Sequence, residues 1–242
     1  MKDINLVAVD NIEALKANPY PGRGIIIGMS PDAKHLVQLY WIMGRSENSR
    51  NRIFVNENGF IKTEAFDPSK VKDPSLIIYY AAKHLDDCHI VTNGDQTDTI
   101  FNALNSGDSF EDALYTRSFE PDGPNFTPRI SSLVDLKCKK HIYKLSILKT
   151  FAGNPECCVR QFYNYEKAIP GYGHCIHTYR GDGEPLPSFD REPYITPVFD
   201  DIDRMVEFYW DALNKDNRIS IFAKYINLST KEFETRIINK MK

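Results

Sequence analysis

The chain has 242 residues, of which 42% are hydrophobic and 26% charged, with a formal net charge of −3. These are ordinary globular values, and they give no electrostatic reason to expect a nucleic acid or an anionic membrane surface as a partner. The amino-terminal segment lacks the apolar core of a signal peptide, and the apolar runs are too short to span a bilayer. Five cysteines without regular spacing favour reduced thiols in a cytoplasmic protein over a disulfide framework.

The first hundred residues are rich in short apolar runs. After a lead-in with a short helical turn at 10–16, strands are predicted at 24–29, 36–43, 52–55, 60–65, 76–81 and 89–92. Asn58-Gly59 supplies the positive φ angles that a tight turn needs, so the third and fourth of these strands should form a hairpin.

Helices are predicted next. One runs through 99–104, and a second is capped by Asp108 or Ser109 and ends near Arg117. Ser109 and Asp112 have the spacing of a capping box.

The rest of the chain mixes strands with two more predicted helices. Residues 200–213 have an amphipathic pattern, and Ser229 with Glu232 predicts a capping box for a last helix through Lys240. Further strands are predicted at 130–136, 141–148, 157–165 and 173–179. This pattern indicates one α+β domain over 1–242, with large, mostly antiparallel sheets covered by helices.

Residues 40–52 form the most informative stretch. An apolar strand breaks at Gly44, and Arg45, Arg50 and Arg52 follow it among small polar residues. Arginine carries a planar fork of donors that matches phosphate and carboxylate. Projecting from one strand end, these arginines predict a site for an anionic ligand, most simply a phosphate. The alternative is an exposed basic turn that pairs with nearby acids.

Two loops carry further candidates. Residues 93–98 lie between a strand and a helix, so their backbone N–H groups offer an anion site, or else their side chains simply cap the helix. The proline-stiffened loop 120–129 holds Glu120, Asp122 and Arg129. Carboxylates held rigidly can act as a general acid or base. The alternative is an ordinary capped surface loop.

Two segments suggest a metal only weakly. Asp182 and Glu184 could coordinate a cation, but two carboxylates are too few to identify one. Residues 174–177 contain two histidines and a cysteine on alternating faces of a strand, with no second pair at suitable spacing. We therefore expect no metal site.

Four segments together resemble the archaeal-type IMP cyclohydrolase family and its bacterial relatives. They are Gly22-Arg23, 40–52, 93–98 and 127–130. The match looks closer to the bacterial members, which carry the Thr-Tyr-x-Gly-Asp-Gly-x-Pro-Leu-Pro run seen at 178–187. The resemblance implies the four-layer αββα sandwich of the N-terminal-nucleophile hydrolases, without their self-processing.

The resemblance also implies a reaction. The carboxamide nitrogen of formylaminoimidazole carboxamide ribotide (FAICAR) attacks the formyl carbon, and loss of water gives IMP. Such chemistry needs a phosphate clamp, donors to the formyl oxygen, an acid/base group and proximity. It needs no redox centre, cofactor or metal. The expected partner is a small purine nucleotide, and a homo-oligomer is left open.

The resemblance carries over to specific positions. The implied substrate- and phosphate-binding residues are Arg23, Arg45, Arg50, Arg52, Arg129 and Asp182. The implied catalytic residues are Tyr80, Asn93, Glu120 and Asp122, with Tyr79 as the alternative to Tyr80. Two other functions stay open: an amide hydrolase on the same sandwich with an interior nucleophile, and a non-catalytic purine-nucleotide binder.

Overall fold

A computed structural model describes residues 3–71, 74 and 76–241. In this part of the chain the helices are α1 (Ile4–Ala17), α2 (Glu47–Arg50), α3 (Gln96–Asn105), α4 (Phe110–Tyr115) and α5 (Ile202–Ala212), with a 3-10 turn at Pro68–Lys70. The strands are β1 (Gly24–Met29), β2 (His35–Met43), β3 (Arg52–Glu57), β4 (Phe60–Ala65), β5 (Tyr80–Leu85), β6 (Cys88–Thr92), β7 (Arg129–Asp135), β8 (Tyr143–Phe151), β9 (Asn154–Tyr165), β10 (Tyr172–His177), β11 (Tyr194–Pro197), β12 (Arg218–Asn227) and β13 (Phe233–Asn239).

The strands build two antiparallel sheets. The seven-stranded sheet is a meander in which β3 to β9 pair in sequence order. The six-stranded sheet has the order β11-β10-β1-β2-β12-β13, so it joins the two ends of the chain. All neighbouring strands in both sheets run antiparallel. The predicted α+β class with stacked antiparallel sheets is therefore confirmed.

The sheets stack on each other and share the main core. Its buried side chains include Tyr40 and Phe222 from the six-stranded sheet, and Ile61, Val134 and Ile147 from the seven-stranded sheet. Strand β2 is buried at eight of its nine positions because both faces of its sheet are covered. Burial on both faces explains why its sequence is continuously apolar.

Helices cover the outer faces. α1 packs on β11, and α5 packs on β12 and β13. α3 and α4 bury a second cluster against the seven-stranded sheet, including Ile90 and Leu133, which adjoin Val91 and Val134 in the main core. Adjacent residues of a strand face opposite ways, so this sheet is covered on both faces as well. No helix within the described residues has both the length and the apolar composition to cross a bilayer.

The predicted last helix is wrong, because this segment is strand β13. Asn227 Oδ1 accepts hydrogen bonds from the backbone N–H groups of Ser229 and Thr230, and Lys231 has a φ of 65°. The polar residues therefore make a turn rather than a helix cap. β13 then pairs with β12, whose sheet edge would otherwise be open.

Other boundaries also shifted. The strand predicted at 76–81 begins only at Tyr80, and the helical turn predicted at 10–16 is part of a longer helix that begins at Ile4. Strands β11 and β12 were not predicted. β12 contains buried Ser220 and Lys224, which interrupt the apolar pattern that a central strand usually shows.

Candidate active site

A cavity of about 670 Å³ lies where the two sheets and the loops at one end of the sandwich meet. It is lined by Tyr20, Arg23, Met43, Arg45, Ser46, Asn48, Ser49, Arg52, Leu76, Ile77, Glu120, Asp122, Asn125, Thr127, Tyr179, Glu184 and Leu186. Arg23 precedes β1, Arg45 follows β2 and Arg52 begins β3, so strand ends of both sheets deliver the arginines.

Arg23 and Glu120 form a buried ion pair in this cavity. Arg23 Nη2 donates to the two carboxylate oxygens of Glu120 at 3.0 and 3.2 Å. The side chains are only 11% and 2% exposed, respectively. Burial raises the pKa of Glu120, although the guanidinium groups of Arg23 and Arg129 oppose this. A buried carboxyl group in a cavity, with a raised pKa and a specific charged partner, is a candidate for proton transfer.

The position of Arg23 is fixed by the residues before and beside it. Gly22 has a φ of 74°, and a Cβ atom there would overlap Thr178 Oγ1 and lie 2.5 Å from the Tyr179 ring. Only glycine fits this close approach without strain. Arg23 and Thr178 then exchange hydrogen bonds, Arg23 N to Thr178 Oγ1 at 3.1 Å and Thr178 N to Arg23 O at 2.8 Å.

Arg52 is a buried cation without an acidic partner among the described residues. Its side chain is 2% exposed, Nε donates to Ser49 O at 2.8 Å, and the buried Nη1 has no partner in that part of the chain. Burial lowers the pKa of Arg52, partly offset by the Tyr79 hydroxyl. The guanidinium nevertheless stays charged, and an unpaired buried charge is costly. The arrangement therefore suits an anionic ligand.

Arg45 is held differently, at the exposed rim. Its Nη1 donates to Asp182 Oδ1 at 2.6 Å, and Nη2 lies 3.9 Å from Glu184 Oε1. Its guanidinium lies 5.2 Å from the centre of the Tyr20 ring. Exposed ion pairs contribute little stability, so a phosphate could displace these acids from Arg45 at small cost.

Tyr79 lies behind the arginines of this cluster, although its side chain does not line the cavity. Its hydroxyl lies 2.7 Å from that of Tyr40, and it is close enough to Arg23 and Arg52 to affect the pKa of both. Burial raises the pKa of Tyr40 well above its ordinary value, so that hydroxyl stays protonated. Tyr79 is therefore the better placed of the two hydroxyl donors proposed from the sequence.

Tyr80 and Arg50, both predicted site residues, lie away from the cavity. The Tyr80 hydroxyl donates to Glu57 Oε2 at 2.9 Å, outside the cavity. Arg50 is exposed and donates to Gly44 O and to Asn217 Oδ1, each at 3.1 Å. The short helix α2 directs Arg50 outward. Arg50 therefore does not join Arg52 in the cavity, although the two residues are close in sequence.

Asp122 lines the cavity, but its oxygens are engaged. It accepts a hydrogen bond from Thr127 N at 2.6 Å and another from the Thr127 hydroxyl, which also contacts the hydroxyl of Tyr179. Glu120 N donates to Thr127 O at 2.9 Å across the same loop. Asp122 thus closes the loop that presents Glu120.

Asn93 and Arg129 form a buried layer behind the cavity. Asn93 Oδ1 accepts from Ile130 N and Gln96 Nε2 at 2.8 and 2.9 Å, and its amide donates to Pro128 O. Arg129 Nη1 donates to Asp95 and to Gln96 at 2.6 and 2.7 Å. Neither side chain lines the cavity, so both support the wall of the site.

The structure therefore brings together six sequence-predicted residues at or beside the cavity, with Asp182 reaching it through Arg45. These are Arg23, Arg45, Arg52, Glu120, Asp122 and Asp182. Tyr20, Tyr40 and Tyr179 were not among the site residues predicted from the sequence. The place of Tyr40 on the strand directly before the arginines was the available signal.

Within the described residues, one group of three mixed donors could hold a metal ion, and it is elsewhere. Asp135, Cys138 and His141 lie at the far end of β7 from the cavity. Asp182 and Glu184, the two acids considered from the sequence as possible cation ligands, face Arg45.

Comparison with known proteins gives a consistent picture. A family model described as IMP cyclohydrolase-like protein matches residues 20–232. The chain is 35% identical over 121 residues to an IMP cyclohydrolase of Methanopyrus kandleri, and 33% identical over 128 residues to an IMP cyclohydrolase of Methanosphaera stadtmanae. These alignments cover 48% and 51% of this chain, and 59% and 61% of the relatives. The chain thus spans about three fifths of the length of the curated relatives it matches.

Proposed function

The chain belongs to the IMP cyclohydrolase-like family, and from that premise we propose that it catalyses the dehydrative ring closure of FAICAR to IMP. The reverse reaction, hydrolysis of IMP, would use the same site. The observation that carries this proposal is a single cavity with a buried, acid-free arginine, Arg52, beside a buried Arg23–Glu120 pair. The first can hold a phosphate, and the second can move a proton.

Binding is proposed to begin with the substrate phosphate. Arg52 offers the unpartnered Nη1 group, and Arg45 adds a second guanidinium once the phosphate displaces Asp182 and Glu184. Charge-assisted hydrogen bonds from two guanidinium groups are the strongest contacts available for a phosphate. Leu76, Ile77 and Leu186 supply apolar walls to the cavity.

Glu120 is proposed as the acid/base group. Its carboxylate would take the proton from the carboxamide nitrogen as that nitrogen attacks the formyl carbon. That proton would pass to the formyl oxygen, which becomes a hydroxyl group on the new ring carbon. The former formamide nitrogen would then give up its own proton, through Glu120, to this hydroxyl, which leaves as water as the carbon–nitrogen double bond forms. The Tyr79 hydroxyl, which does not line the cavity and lies 2.7 Å from that of Tyr40, is proposed to turn toward the formyl oxygen and donate a hydrogen bond to it as its charge develops. Holding both reacting ends of one substrate supplies a further part of the rate by proximity.

For the fold, we propose that the stacked sheets form the αββα sandwich of the N-terminal-nucleophile hydrolases, with 1–242 as one domain. The packing of α1 and α5 on one sheet, and of α3 and α4 on the other, supports this. A core shared by both sheets supports a single domain. A cytoplasmic location and a small purine nucleotide as the partner are proposed with it. Unpaired cysteines agree with a reducing compartment.

The direct test is to mix the purified, chelator-treated protein with FAICAR and to follow IMP by absorbance and chromatography. We expect turnover without added metal. Absence of turnover together with thermal stabilisation by IMP would favour the non-catalytic nucleotide binder instead. Absence of both would reject a purine-nucleotide site in this cavity.

A further inference from the structure

The turn between β7 and β8 brings three different metal-binding side chains together. One donor atom each from Asp135, Cys138 and His141 lies within 4.8 Å of the other two, and all three residues are half-buried. We propose that these three side chains bind a zinc ion. This site is independent of the proposed ring closure.

The donor set has the right chemistry for zinc. Thiolate sulfur, imidazole nitrogen and carboxylate oxygen are the three ligand types that Zn²⁺ takes in proteins, and three protein ligands leave a fourth tetrahedral position for water. Hard cations such as Mg²⁺ and Ca²⁺ prefer oxygen ligands alone. The cysteine and the histidine therefore select against them.

The observed distances need little adjustment. Cys138 Sγ lies 3.2 Å from His141 Nδ1. With Zn–S near 2.3 Å and Zn–N near 2.0–2.1 Å, tetrahedral ligands place sulfur and nitrogen about 3.6 Å apart. A shift of about 0.4 Å would thus convert this hydrogen-bonded pair into a pair of ligands.

Asp135 has a carboxylate oxygen to spare, and His141 has no competing contact within the described ranges. Asp135 Oδ1 accepts the N–H groups of Lys137 and Cys138 at 2.9 and 3.2 Å, which fixes the turn. Its Oδ2 has no hydrogen-bond or ion-pair partner among the described residues. His141 Nε2 is buried, likewise without a partner in that part of the chain. Apart from its contact with Cys138, the imidazole has no hydrogen bond to these residues that metal binding would have to break.

Four lysines lie in or beside this turn. Lys139 and Lys140, between Cys138 and His141, form no ion pair with Asp135 among the described residues, and the other two are paired with other acids. Lys137 Nζ lies 3.2 Å from Asp87 Oδ2, and Lys144 Nζ lies 2.6 Å from Glu111 Oε1. Asp135 is thus left for the metal instead of being neutralised by either lysine.

The position of the triad keeps the ion away from the cavity. β7 begins at Arg129, behind the cavity, and ends at Asp135. Six residues of strand separate these ends by about 20 Å. A zinc ion here would clasp the β7–β8 hairpin turn, without touching the substrate.

The test is a titration of Co²⁺, a spectroscopic substitute for Zn²⁺, into the reduced, chelator-treated full chain. Absorbance in the thiolate-to-cobalt charge-transfer region reports a cysteine ligand directly. The variants are C138S and H141Q, and C157S is the matched control because Cys157 is an exposed free cysteine on β9. Zinc is then added to displace the cobalt.

We expect the unmodified chain and C157S to bind one equivalent of Co²⁺ with a charge-transfer band that zinc abolishes. C138S should lack the band, and H141Q should bind Co²⁺ at least about tenfold more weakly. The site is rejected if the unmodified chain gives no band, or if C138S keeps it. Should C138S fail to fold by circular dichroism, H141Q and D135N decide, since unchanged affinity in both also rejects the site.

Discussion

Two arginines of the cavity differ in how their charge is balanced. Arg23 shares the carboxylate of Glu120, whereas Arg52 reaches backbone carbonyls only, within the described residues. Burying a guanidinium without a counter-charge costs stability, and a bound phosphate would remove that cost. In the proposed function, the charge of Arg52 therefore contributes to ligand binding and not to the stability of the fold.

Substitution R52M should separate these two effects. Losing charged hydrogen bonds to phosphate should weaken IMP binding by about 10–100-fold. The free energy of unfolding of the ligand-free protein should stay unchanged or rise, because a buried unpaired charge is removed. Calorimetric binding of IMP and denaturant unfolding measure the two quantities.

R50M is the matched control, since Arg50 is exposed and lies outside the cavity. It should bind IMP as the unmodified protein does. Normal IMP binding by R52M would contradict the phosphate role of Arg52.

The raised pKa of Glu120 predicts the pH dependence of the reaction. As a base, Glu120 acts in its ionised form, so kcat/KM should rise with pH as this carboxyl loses its proton. Because burial raises its pKa, the midpoint of the acid limb should lie above the ordinary value for glutamate. A rate that falls through this range as pH increases would instead make Glu120 a general acid.

Residues of the cavity could be predicted when their positions in the sequence were enough to bring them together. Arg45 and Arg52 flank a strand end and a strand start, so the break at Gly44 was sufficient to bring them to one place. Choosing between Tyr79 and Tyr80 required knowing that β5 begins only at Tyr80, so that Tyr79 lies on the bend before the strand. Arg50 lies outside the cavity because a four-residue helix, α2, turns it outward.

At the level of elements, the segment before β1 sets the geometry of Arg23. Gly22 has a positive φ and no room for a Cβ atom, whereas Gly107 has a φ of 87° and nothing within 4 Å of the position that a Cβ atom would take. An alanine at either position would have a strained backbone, but only at Gly22 would its Cβ atom also overlap neighbouring atoms. The two glycines are therefore a matched pair.

G22A should lower the free energy of unfolding by about 3 kcal/mol or more, because strain and overpacking add. G107A should cost only about 1–2 kcal/mol, the strain of a left-handed residue. Chemical denaturation of both variants gives the comparison. Equal losses would show that the contact with Thr178 and Tyr179 does not matter.

Strand β12 contains an unusual buried residue. Lys224 is 1% exposed, its Nζ has no hydrogen-bond partner among the described residues, and it lies 3.8 Å from the centre of the Phe233 ring. Burial lowers the pKa of Lys224 to about 7. The unfolded chain, with a lysine pKa near 10.4, therefore binds a proton that the folded chain lacks between these pH values.

Stability should consequently fall as the pH decreases from about 10.4 to about 7. K224M should remove this dependence and raise the free energy of unfolding at neutral pH by about 1–4 kcal/mol. Urea unfolding at pH 7 and pH 9 measures both effects, with K167M as the exposed control. A destabilised K224M would mean that the ammonium group has a stabilising partner.

Elements were predictable from local pattern only when no distant partner competed. The 52–65 hairpin followed from Asn58-Gly59, whose φ angles are 54° and 88°. The last segment did not follow from its own signals, because Ser229 and Glu232 suit a helix cap as well as a turn. The segment forms a strand because it pairs with β12, and β12 was not predicted either.

Across the whole molecule, the cavity depends on both sheets. The six-stranded sheet supplies Arg23 and Arg45 from the ends of β1 and β2, and the seven-stranded sheet supplies Arg52 at the start of β3. The loop that presents Glu120 joins the α3–α4 layer to β7. The cavity therefore forms only when the two sheets stack. The composition of the sequence and the periodicity of its apolar residues could predict the sheets, but not how the ends of their strands meet.

The most direct measurement of the central claim is turnover of FAICAR by E120Q, with IMP binding measured on the same preparation. Glutamine preserves the size of the side chain but cannot take a proton, so kcat should fall by about 10²–10⁴ while IMP still binds. E156Q, an exposed change on β9, should turn over normally. Normal turnover by E120Q would contradict the assignment of Glu120 as the acid/base group, and with it the proposed chemistry of this cavity.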